Sequence, residues 1–321
     1  MLHKTTSKCY DKFCTDHQTA LPLFYNSWYL DAACGKDSWD AAVFTDKNGQ
    51  TLGIWPYHIK SKYGLRYITM PTLTPYMGPW IVLTREAKSS TINSNQHNII
   101  STLNTKIPDV HFSTIHTHPD LLNLLSLQWA GYQEIKRYTY RLDLSNEYLW
   151  ENLDAKQRNI IRKAGSTLTV RQSSDIEKFY DYNRMSFDRQ SEKIPYKLNE
   201  LTSIDNALNQ QNSRLILQAH NPTTGRTHGM IYLVYDQHTV YLIAIGSDPK
   251  ERHQGSIPLL VWEAISKFST SHKIFDFEGS MIPNIERFFR SFGGTLTPYS
   301  RLFRSKHIGI DLILKLSGRY G

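Results

Sequence analysis

Two carboxylates at the end of an apolar run are the residues of this sequence best suited to acid–base chemistry. Asp276 and Glu278 lie in FDFEGSMIPNIERFFRSFGG, residues 275–294. In a strand, side chains alternate between faces, so the carboxylates would share one face, and Phe275 and Phe277 the other. A carboxylate beside apolar groups has a raised pKa and can act as a general base. The alternative is a structural ion network with nearby arginines. The candidate partners are Arg287, Arg290 and Arg301.

A phosphate-binding loop is suggested by GSDPKERHQGSIP, residues 246–258, which connects a predicted strand to an amphipathic helix. The first backbone N–H groups of a helix have no partner within it, and the helix dipole favours an anion there. Gly255 and Ser256 would stand at this helix start, and Lys250 and Arg252 add positive charge. The functional interpretation is a cradle for a pyrophosphate. The alternative is an ordinary exposed loop in which Ser256 caps the helix.

A basic helix is predicted over KQRNIIRKAG, residues 156–165. Arg158 and Arg162 are four residues apart, so they would lie on one helix face. Two guanidinium groups placed in this way could bind a phosphate group through paired hydrogen bonds. The alternative is a solvated helix face without a ligand.

A metal site is not expected. His116 and His118 would face the same way if HFSTIHTHPD is a strand, as two metal ligands do. No Cys, Asp or His cluster completes the site, so the sequence predicts no metal. The common signatures of nucleotide-binding loops, serine hydrolases, zinc proteases and zinc fingers are also absent from the sequence.

The composition is that of a globular protein, with 40% hydrophobic and 21% charged residues in a chain of 321. A net charge of +8 suits an acidic ligand such as a nucleotide cofactor or RNA, but is also compatible with simple solubility. Three cysteines are too few for a disulfide framework and fit a reducing compartment. Neither an apolar leader nor a long apolar run occurs, so we expect a cytoplasmic protein without a transmembrane segment.

The elements that must position these residues repeat once along the chain. Each half reads as a helix, hairpin strands, and then alternating helices and strands, which predicts an α+β fold with a mixed sheet. The pair Asn48-Gly49 is a strong signal for a hairpin turn in the first half. We predict a division near residues 144–153, giving an N-terminal domain over 1–147 and a C-terminal domain with the donor site over 148–321.

Three motifs resemble those of one enzyme family. The stretch 275–294, with an acidic strand, Gly-Ser and a helix that ends in FRSFG, resembles the C-terminal signature of Fem-like acyltransferases of the GNAT superfamily. KQRNIIRKA is similar to the basic helix that opens the second domain of these proteins. PYMGPW, residues 75–80, resembles a loop of their first domain. The resemblance therefore extends over both halves of the chain.

The resemblance implies a fold and a reaction. It implies two tandem GNAT-like acyl-CoA N-acyltransferase domains, each a mixed sheet flanked by helices. Members of this family move an acyl or aminoacyl group onto an amine. The donor is acyl-CoA in one branch and aminoacyl-tRNA in the branch that builds peptidoglycan bridges. No cofactor would be bound permanently, because either donor is a co-substrate.

The resemblance also assigns candidate site residues. Glu278 or Asp276 would accept the proton of the amine. The donor phosphates would be held by the loop before the helix, which matches the GNAT donor loop except for Ile257 at its last position. The loop residues are Arg252, Gln254, Gly255 and Ser256. The candidates for binding the second substrate are Arg158, Arg162, Tyr76 and Asn284.

The function expected from these residues is that of a bacterial N-acyltransferase acting on an amine, either a small molecule or a precursor of the cell wall. Partners would include tRNA if the donor is aminoacyl-tRNA, whereas DNA is not expected. The alternative is a binding module with this fold that recognises RNA or a nucleotide-linked ligand without chemistry. The chain would be a monomer or a homodimer.

Overall fold

The computed structural model describes residues 4–82, 88–279 and 281–305, and the chain divides into two compact units. The first unit takes the described residues up to Arg137 and those from Pro298 onward, and the second unit is Tyr138–Thr297. The domain boundary expected after residue 147 stays a prediction, because compactness alone does not establish which segments fold independently.

The first unit is a mixed sheet with helices. Its helices are α1 (Lys4–Asp16), α2 (Ser27–Cys34), α3 (Ser89–Thr105) and α4 (Leu125–Trp129). Its strands are β1 (Trp39–Thr45), β2 (Thr51–Lys62), β3 (Leu65–Ile68), β4 (Trp80–Ile81) and β5 (Phe112–His116), with the start of β6 (Gln133–Asp143) and the end of β12 (Thr295–Ser305). The order is β1-β2-β3-β5-β12, with β4 on β2, and only the β3–β5 pairing is parallel among these described pairs.

Local sequence accounts for the first hairpin of this unit. The Asp46 side chain accepts hydrogen bonds from the backbone N–H groups of Asn48 and Gln50, and Gly49 has a φ of 82°. Glycine is favoured at this last turn position because it has no Cβ and adopts left-handed backbone without strain. The turn predicted from Asn48-Gly49 is therefore confirmed. The core below the sheet includes Trp55, whose side chain is buried.

The second unit holds the remaining elements. Its helices are α5 (Ala155–Gly165), α6 (Ile176–Asp188), α7 (Leu198–Gln210), α8 (Ser256–Phe268) and α9 (Pro283–Arg290). Its complete strands are β7 (Thr169–Ser173), β8 (Arg214–His220), β9 (Thr227–Tyr235), β10 (Thr239–Ser247) and β11 (Ile274–Asp276). The order is β6-β11-β10-β9-β8-β7, with β10 and β11 parallel and the other pairs antiparallel. The predicted mixed sheet flanked by helices is confirmed.

The whole of β11 pairs with only the first three residues of β10. Thr239–Tyr241 pairs in parallel with Ile274–Asp276, and residues 242–247 of β10 run on after β11 has ended. The register of β10 against β9 shifts between Leu242 and Ala244. A bulge of this kind bends a strand and increases its twist. Because β11 ends at Asp276, the second half of β10 has no β11 residue beside it.

The strand alternation that placed Glu278 on the face of Asp276 was wrong, because β11 is only Ile274–Asp276 and does not extend to Glu278.

The first two helices are separated by a short turn at Leu23–Tyr25 that follows Pro22. Proline fixes φ and lacks an N–H, so it separates α1 from α2.

We expect Gly246→Ala to destabilise the second unit. A Cβ at Gly246 would lie 2.6 Å from both the Asn183 nitrogen and the Tyr182 carbonyl carbon, which are backbone atoms of α6. Because backbone cannot move aside like a flexible side chain, the free energy of unfolding should fall by about 3 kcal/mol, the upper end of the usual cost of overpacking. Urea unfolding measures it.

The matched control is Gly165→Ala, at the end of α5. Its Cβ would make an ordinary contact at 3.8 Å with Leu259, so alanine should stabilise the helix by roughly 0.5–1 kcal/mol. Equal stability of the two variants would contradict the close approach of α6 to β10.

Candidate functional site

A buried ion pair lies at the end of β11. Asp276 is fully buried, and its Oδ2 accepts a hydrogen bond of 2.9 Å from Nε of Arg141 on β6. Its Oδ1 accepts from Thr139 Oγ1 at 2.5 Å and from the backbone N–H of Glu278 at 2.9 Å. A buried carboxylate needs such partners to offset the loss of water. Asp276 therefore holds the chain at the strand end.

Glu278 follows in a different state. Its φ is 62°, a left-handed conformation that is uncommon for a non-glycine residue. Its Oε1 is buried and has no hydrogen-bond partner among the described residues. Burial, and then the negative charge of Asp276, raise the pKa of Glu278 well above its ordinary value of 4.5, against a smaller opposing effect of Arg141. Strained backbone and a desolvated carboxylate together are typical of functional sites.

The two carboxylates therefore differ in what they can do. Asp276 already accepts three hydrogen bonds, whereas Glu278 has an unpaired oxygen and a raised affinity for a proton. A general base needs an oxygen that can reach its substrate and a pKa near the working pH. The geometry favours Glu278 as the base. The partner of Asp276 is Arg141, and Arg290 instead pairs with Glu286 at 3.1 Å.

The part of β10 that extends beyond β11, residues 242–247, is less buried at its centre than the rest of the strand. Ile243, Ala244 and Ile245 are partly buried in a strand that is otherwise buried. Two side chains of α6 form hydrogen bonds with the backbone of this part of β10. Asn183 Nδ2 donates to the Ile245 carbonyl at 2.7 Å, and the Ser247 N–H donates to Ser186 Oγ at 3.0 Å. These side chains satisfy backbone groups that a neighbouring strand would otherwise pair.

The start of α8 packs against its surroundings. Gly255 has a φ of 74°, and a Cβ there would lie 2.7 Å from Ile160 Cγ2 on α5. Ser256 is the first residue of the helix, is 1% exposed, and has an Oγ without a hydrogen-bond partner among the described residues. This Oγ lies close to Gly229 of β9. The alternative role of Ser256 as helix cap is wrong, because Gly255 holds the cap position.

Two arginines that interact electrostatically lie just before this helix in the sequence and at the end of α6. Arg252 is exposed in a short helical turn, Arg252–Gln254, and the Gln254 amide contacts the His253 ring at 2.8 Å. Arg189 follows the end of α6. Partial burial, and then the positive charge of Arg252, lower the pKa of Arg189. Neither arginine has an ion-pair partner in the part of the chain that the structure describes, so their charges are available to an anion.

The two arginines of α5 do not act together. Arg158 donates to the backbone carbonyls of Glu151 and Leu153, each at 2.6 Å. Arg162 is exposed, and its guanidinium lies over the Trp150 ring at 5.2 Å from its centroid. The expected clamp of two guanidiniums on one phosphate is therefore not preformed, because the side chains have separate local partners.

The last two candidates lie apart in the chain. Tyr76 belongs to the first unit and is 1% exposed, with its ring 5.2 Å from that of His118 and 5.5 Å from that of Tyr299. Such burial makes it a core residue. Asn284 is exposed in the first turn of α9, shortly after Glu278 in the second unit. Ser280 of the Gly-Ser motif lies outside the described residues.

Over the described ranges, no group of three or more His, Cys, Asp or Glu is arranged to hold a metal ion.

Burial, followed by the charges of Arg137 and Arg301, lowers the pKa of His116 to about 4. In the same ranges, no helix is long and apolar enough to cross a bilayer.

Sequence reasoning missed the residues that support Glu278. Arg141 occurs in RYTYRLDL, and an arginine within an apolar strand pattern is a signal for a buried ion pair. Asn183, Ser186 and Arg189 gave no such signal, because their positions depend on how α6 packs.

Arg141→Met should destabilise the second unit strongly. The variant leaves the buried Asp276 carboxylate without its counter-ion, which typically costs about 3–5 kcal/mol. The control is Arg290→Met at the more exposed pair with Glu286, where a loss below about 1 kcal/mol is expected. Urea unfolding of both variants decides, and equal losses would contradict the structural role of Arg141.

Glu278 should make stability fall as the pH rises. Because its pKa is higher in the folded chain, the folded state binds more protons than the unfolded state above about pH 4.5. The free energy of unfolding should therefore fall with rising pH up to the folded pKa, and Glu278→Gln should remove this slope. The exposed Glu263→Gln on α8 should leave it unchanged. Parallel pH profiles for wild type and Glu278→Gln would refute the burial of this carboxylate.

Comparison with known proteins identifies solved structures that share the fold of this chain. No family model and no curated protein matches the sequence. Among solved structures, FemX matches with a TM-score of 0.63 at 14% identity, over 93% of this chain and 96% of that one. L-PGS from Bacillus licheniformis matches with a TM-score of 0.55 at 10% identity, over 99% and 98%. The C-terminal domain of a candidate lysylphosphatidylglycerol synthetase from Agrobacterium fabrum also matches, with a TM-score of 0.55 at 12% identity, over 97% and 95%.

These likenesses extend along nearly the whole chain at low identity, so they establish the fold. The resemblance expected from the sequence is confirmed at the level of the fold: the chain has the fold of FemX.

Proposed function

We propose that the chain is an N-acyltransferase that moves an acyl or aminoacyl group onto an amine, with its reaction centre at the end of β11. The observation that carries this proposal is the unpaired, buried Oε1 of Glu278 at the point where β11 ends and β10 continues with β9 as its strand neighbour. An unpaired buried carboxylate is costly, and a substrate proton is the partner that would offset the cost.

The reaction needs one base. The amine nitrogen attacks the carbonyl carbon of a thioester or ester, the C–N bond forms, and the bond to the leaving sulfur or oxygen breaks. The amine gives up a proton, which Glu278 accepts, and the leaving group takes up a proton from solvent. Holding both substrates together supplies much of the acceleration. The backbone N–H groups of the partly buried stretch Ile243–Ile245 are candidates for stabilising the oxyanion.

The start of α8 is the proposed site for the donor phosphates. The Ile257 side chain is directed toward β9, since its Cδ1 would lie 2.8 Å from a Cβ at Gly229. The bulk of Ile257 therefore does not cover the helix end, although the family has a small residue there. The helix N–H groups and the guanidinium groups of Arg252 and Arg189 would together bind a pyrophosphate.

Gln254, Gly255 and Ser256 take part in this donor site through the backbone of the same turn. Asn284, at the start of α9, is the proposed contact of the acceptor amine. For Arg158, Arg162 and Tyr76, the observed packing supports structural roles instead. Asp276 positions Glu278 through the backbone hydrogen bond of 2.9 Å.

The donor and acceptor are part of the same proposal. The resemblance of the three sequence motifs to Fem-like acyltransferases supports acyl-CoA or aminoacyl-tRNA as the co-substrate. The acceptor would be a small-molecule amine or a peptidoglycan precursor in the cytoplasm of a bacterium. A positive net charge of +8 favours both anionic donors over a neutral one.

Glu278→Gln tests the base. Purified chain is incubated with acyl-CoA or aminoacyl-tRNA and a set of amines that includes nucleotide-linked peptidoglycan precursors, and the transferred group is measured by mass. We expect kcat to fall by about 10²- to 10⁴-fold while donor affinity stays the same.

The exposed Glu263→Gln serves as the control and should retain full activity. Unchanged turnover of Glu278→Gln would remove Glu278 as the base. If no donor reacts and the chain instead binds RNA with a steep salt dependence, the chain is a binding module and not an enzyme.

A further inference from the structure

The tip of the β2–β3 hairpin in the first unit is unusual. Lys62 pairs with Leu65 in the antiparallel register, so Tyr63 and Gly64 form a two-residue turn. Their φ values are 52° and 75°. Both central residues are thus left-handed, as in the hairpin turn that favours Asn-Gly. Tyrosine is a poor choice for this position, and its side chain is 90% exposed.

Contacts with the residues that the structure describes do not account for the exposed position of the Tyr63 side chain. The ring contact that the structure shows is with the Lys62 ammonium, 5.1 Å from the ring centroid. An exposed aromatic ring gains little from such a contact, whereas asparagine would suit the turn better. An unfavourable backbone position that keeps a large side chain in solvent points to a role outside the chain.

The residues around the tip add charge and apolar surface. Residues 60–66 are all exposed, and they include Lys60, Lys62, Arg66 and the 41%-exposed Leu65. The sequence from 47 to 85 contains no aspartate or glutamate. Asp40 and Arg66 both act electrostatically on Tyr57, but Asp40 lies opposite Tyr57 in the β1–β2 pairing and is therefore further from the tip. The tip is therefore cationic.

We propose that this hairpin tip docks on the surface of a phospholipid bilayer that contains anionic lipids. Tyr63 enters the headgroup region, Leu65 reaches the boundary with the acyl chains, and Lys60, Lys62 and Arg66 face the anionic headgroups. Tyrosine is favoured at the water–lipid interface because it has an apolar body and a polar tip, and basic residues are attracted to anionic lipid surfaces.

A bilayer fits these residues better than a nucleic acid does. Phosphates would attract the same basic residues, and a base could stack on Tyr63. However, the Lys62 ammonium already lies over this ring, and exposed Leu65 has no role in contacts with phosphate or base edges. A surface with both anionic groups and an apolar layer gives a contact to each of the five side chains of the proposal, which are Tyr63, Leu65, Lys60, Lys62 and Arg66. This inference is independent of the proposed transferase activity.

Vesicle co-sedimentation of the full chain tests the proposal. The vesicles are phosphatidylcholine alone or with phosphatidylglycerol, at low and at moderate salt. We expect binding only to the anionic vesicles, with an affinity that falls as salt rises. Absence of binding to anionic vesicles at low salt would overturn the proposal.

Variants of the tip locate the contact. Tyr63→Asn suits the turn, so the hairpin should remain folded while binding falls about tenfold. The double variant Lys60→Gln/Lys62→Gln should lose about 25-fold, from roughly 1 kcal/mol per lysine. The matched control, Lys47→Gln/Lys267→Gln, removes two exposed lysines elsewhere and should bind nearly as the wild type does. An equal loss in the control would mean non-specific attraction and would overturn the proposal.

Two further outcomes are decisive. Trp129 is a 73%-exposed aromatic residue on α4, and Trp129→Ser should leave vesicle binding unchanged. If Trp129→Ser abolishes binding while Tyr63→Asn does not, the docking surface is on α4 and the proposal is wrong. If the tip variants weaken binding to a single-stranded RNA and the wild type does not bind vesicles, the partner is a nucleic acid, which equally overturns it.

Discussion

The buried ion pair between Arg141 and Asp276 is the interaction on which the candidate site depends. It joins β6 to the end of β11, and Asp276 also accepts the Glu278 N–H. A desolvated charge without a counter-ion would not remain in this position. Because Asp276 is neutralised and hydrogen-bonded, the chain can turn at a left-handed Glu278 and keep Oε1 of this residue buried. One carboxylate is thereby structural, and the other is left available for chemistry.

The site also depends on where strands stop pairing. Because β11 ends at Asp276 while β10 continues to Ser247, backbone groups in the middle of a sheet are left for other partners. Helix α6 provides some of these partners through Asn183 and Ser186, and Gly246 permits its close approach. Polar backbone in a sheet interior is tolerated only when it is paired or reached by water or a ligand. In the proposed reaction, the stretch at Ile243–Ile245 is where a bound group would meet such backbone.

Local patterns in the sequence predicted much of the second unit. The amphipathic helix predicted after residue 255 is α8, and Leu260, Val261 and Ala264 form part of its buried face. The Phe-rich stretch packs on itself, with the ring centroid of Phe277 within 5.5 Å of those of both Phe289 and Phe292. Strand ends were less well predicted, because the end of β11 is determined by a turn and an ion pair to another strand. The role of Arg158 was also beyond local reasoning, since its partners are backbone carbonyls.

The sequence by itself determined the element types, the mixed sheet and the identity of the two acidic residues, since these depend on periodicity and on residue chemistry over short distances. It also carried the resemblance to the Fem-like proteins. Only the tertiary structure decided which carboxylate is paired and which is free, because this depends on Arg141 and Thr139, more than 130 residues earlier in the chain. Tertiary packing likewise brought Arg189 and Arg252 near one another. Distances between side chains that are remote in sequence are properties of the fold, and local patterns do not contain them.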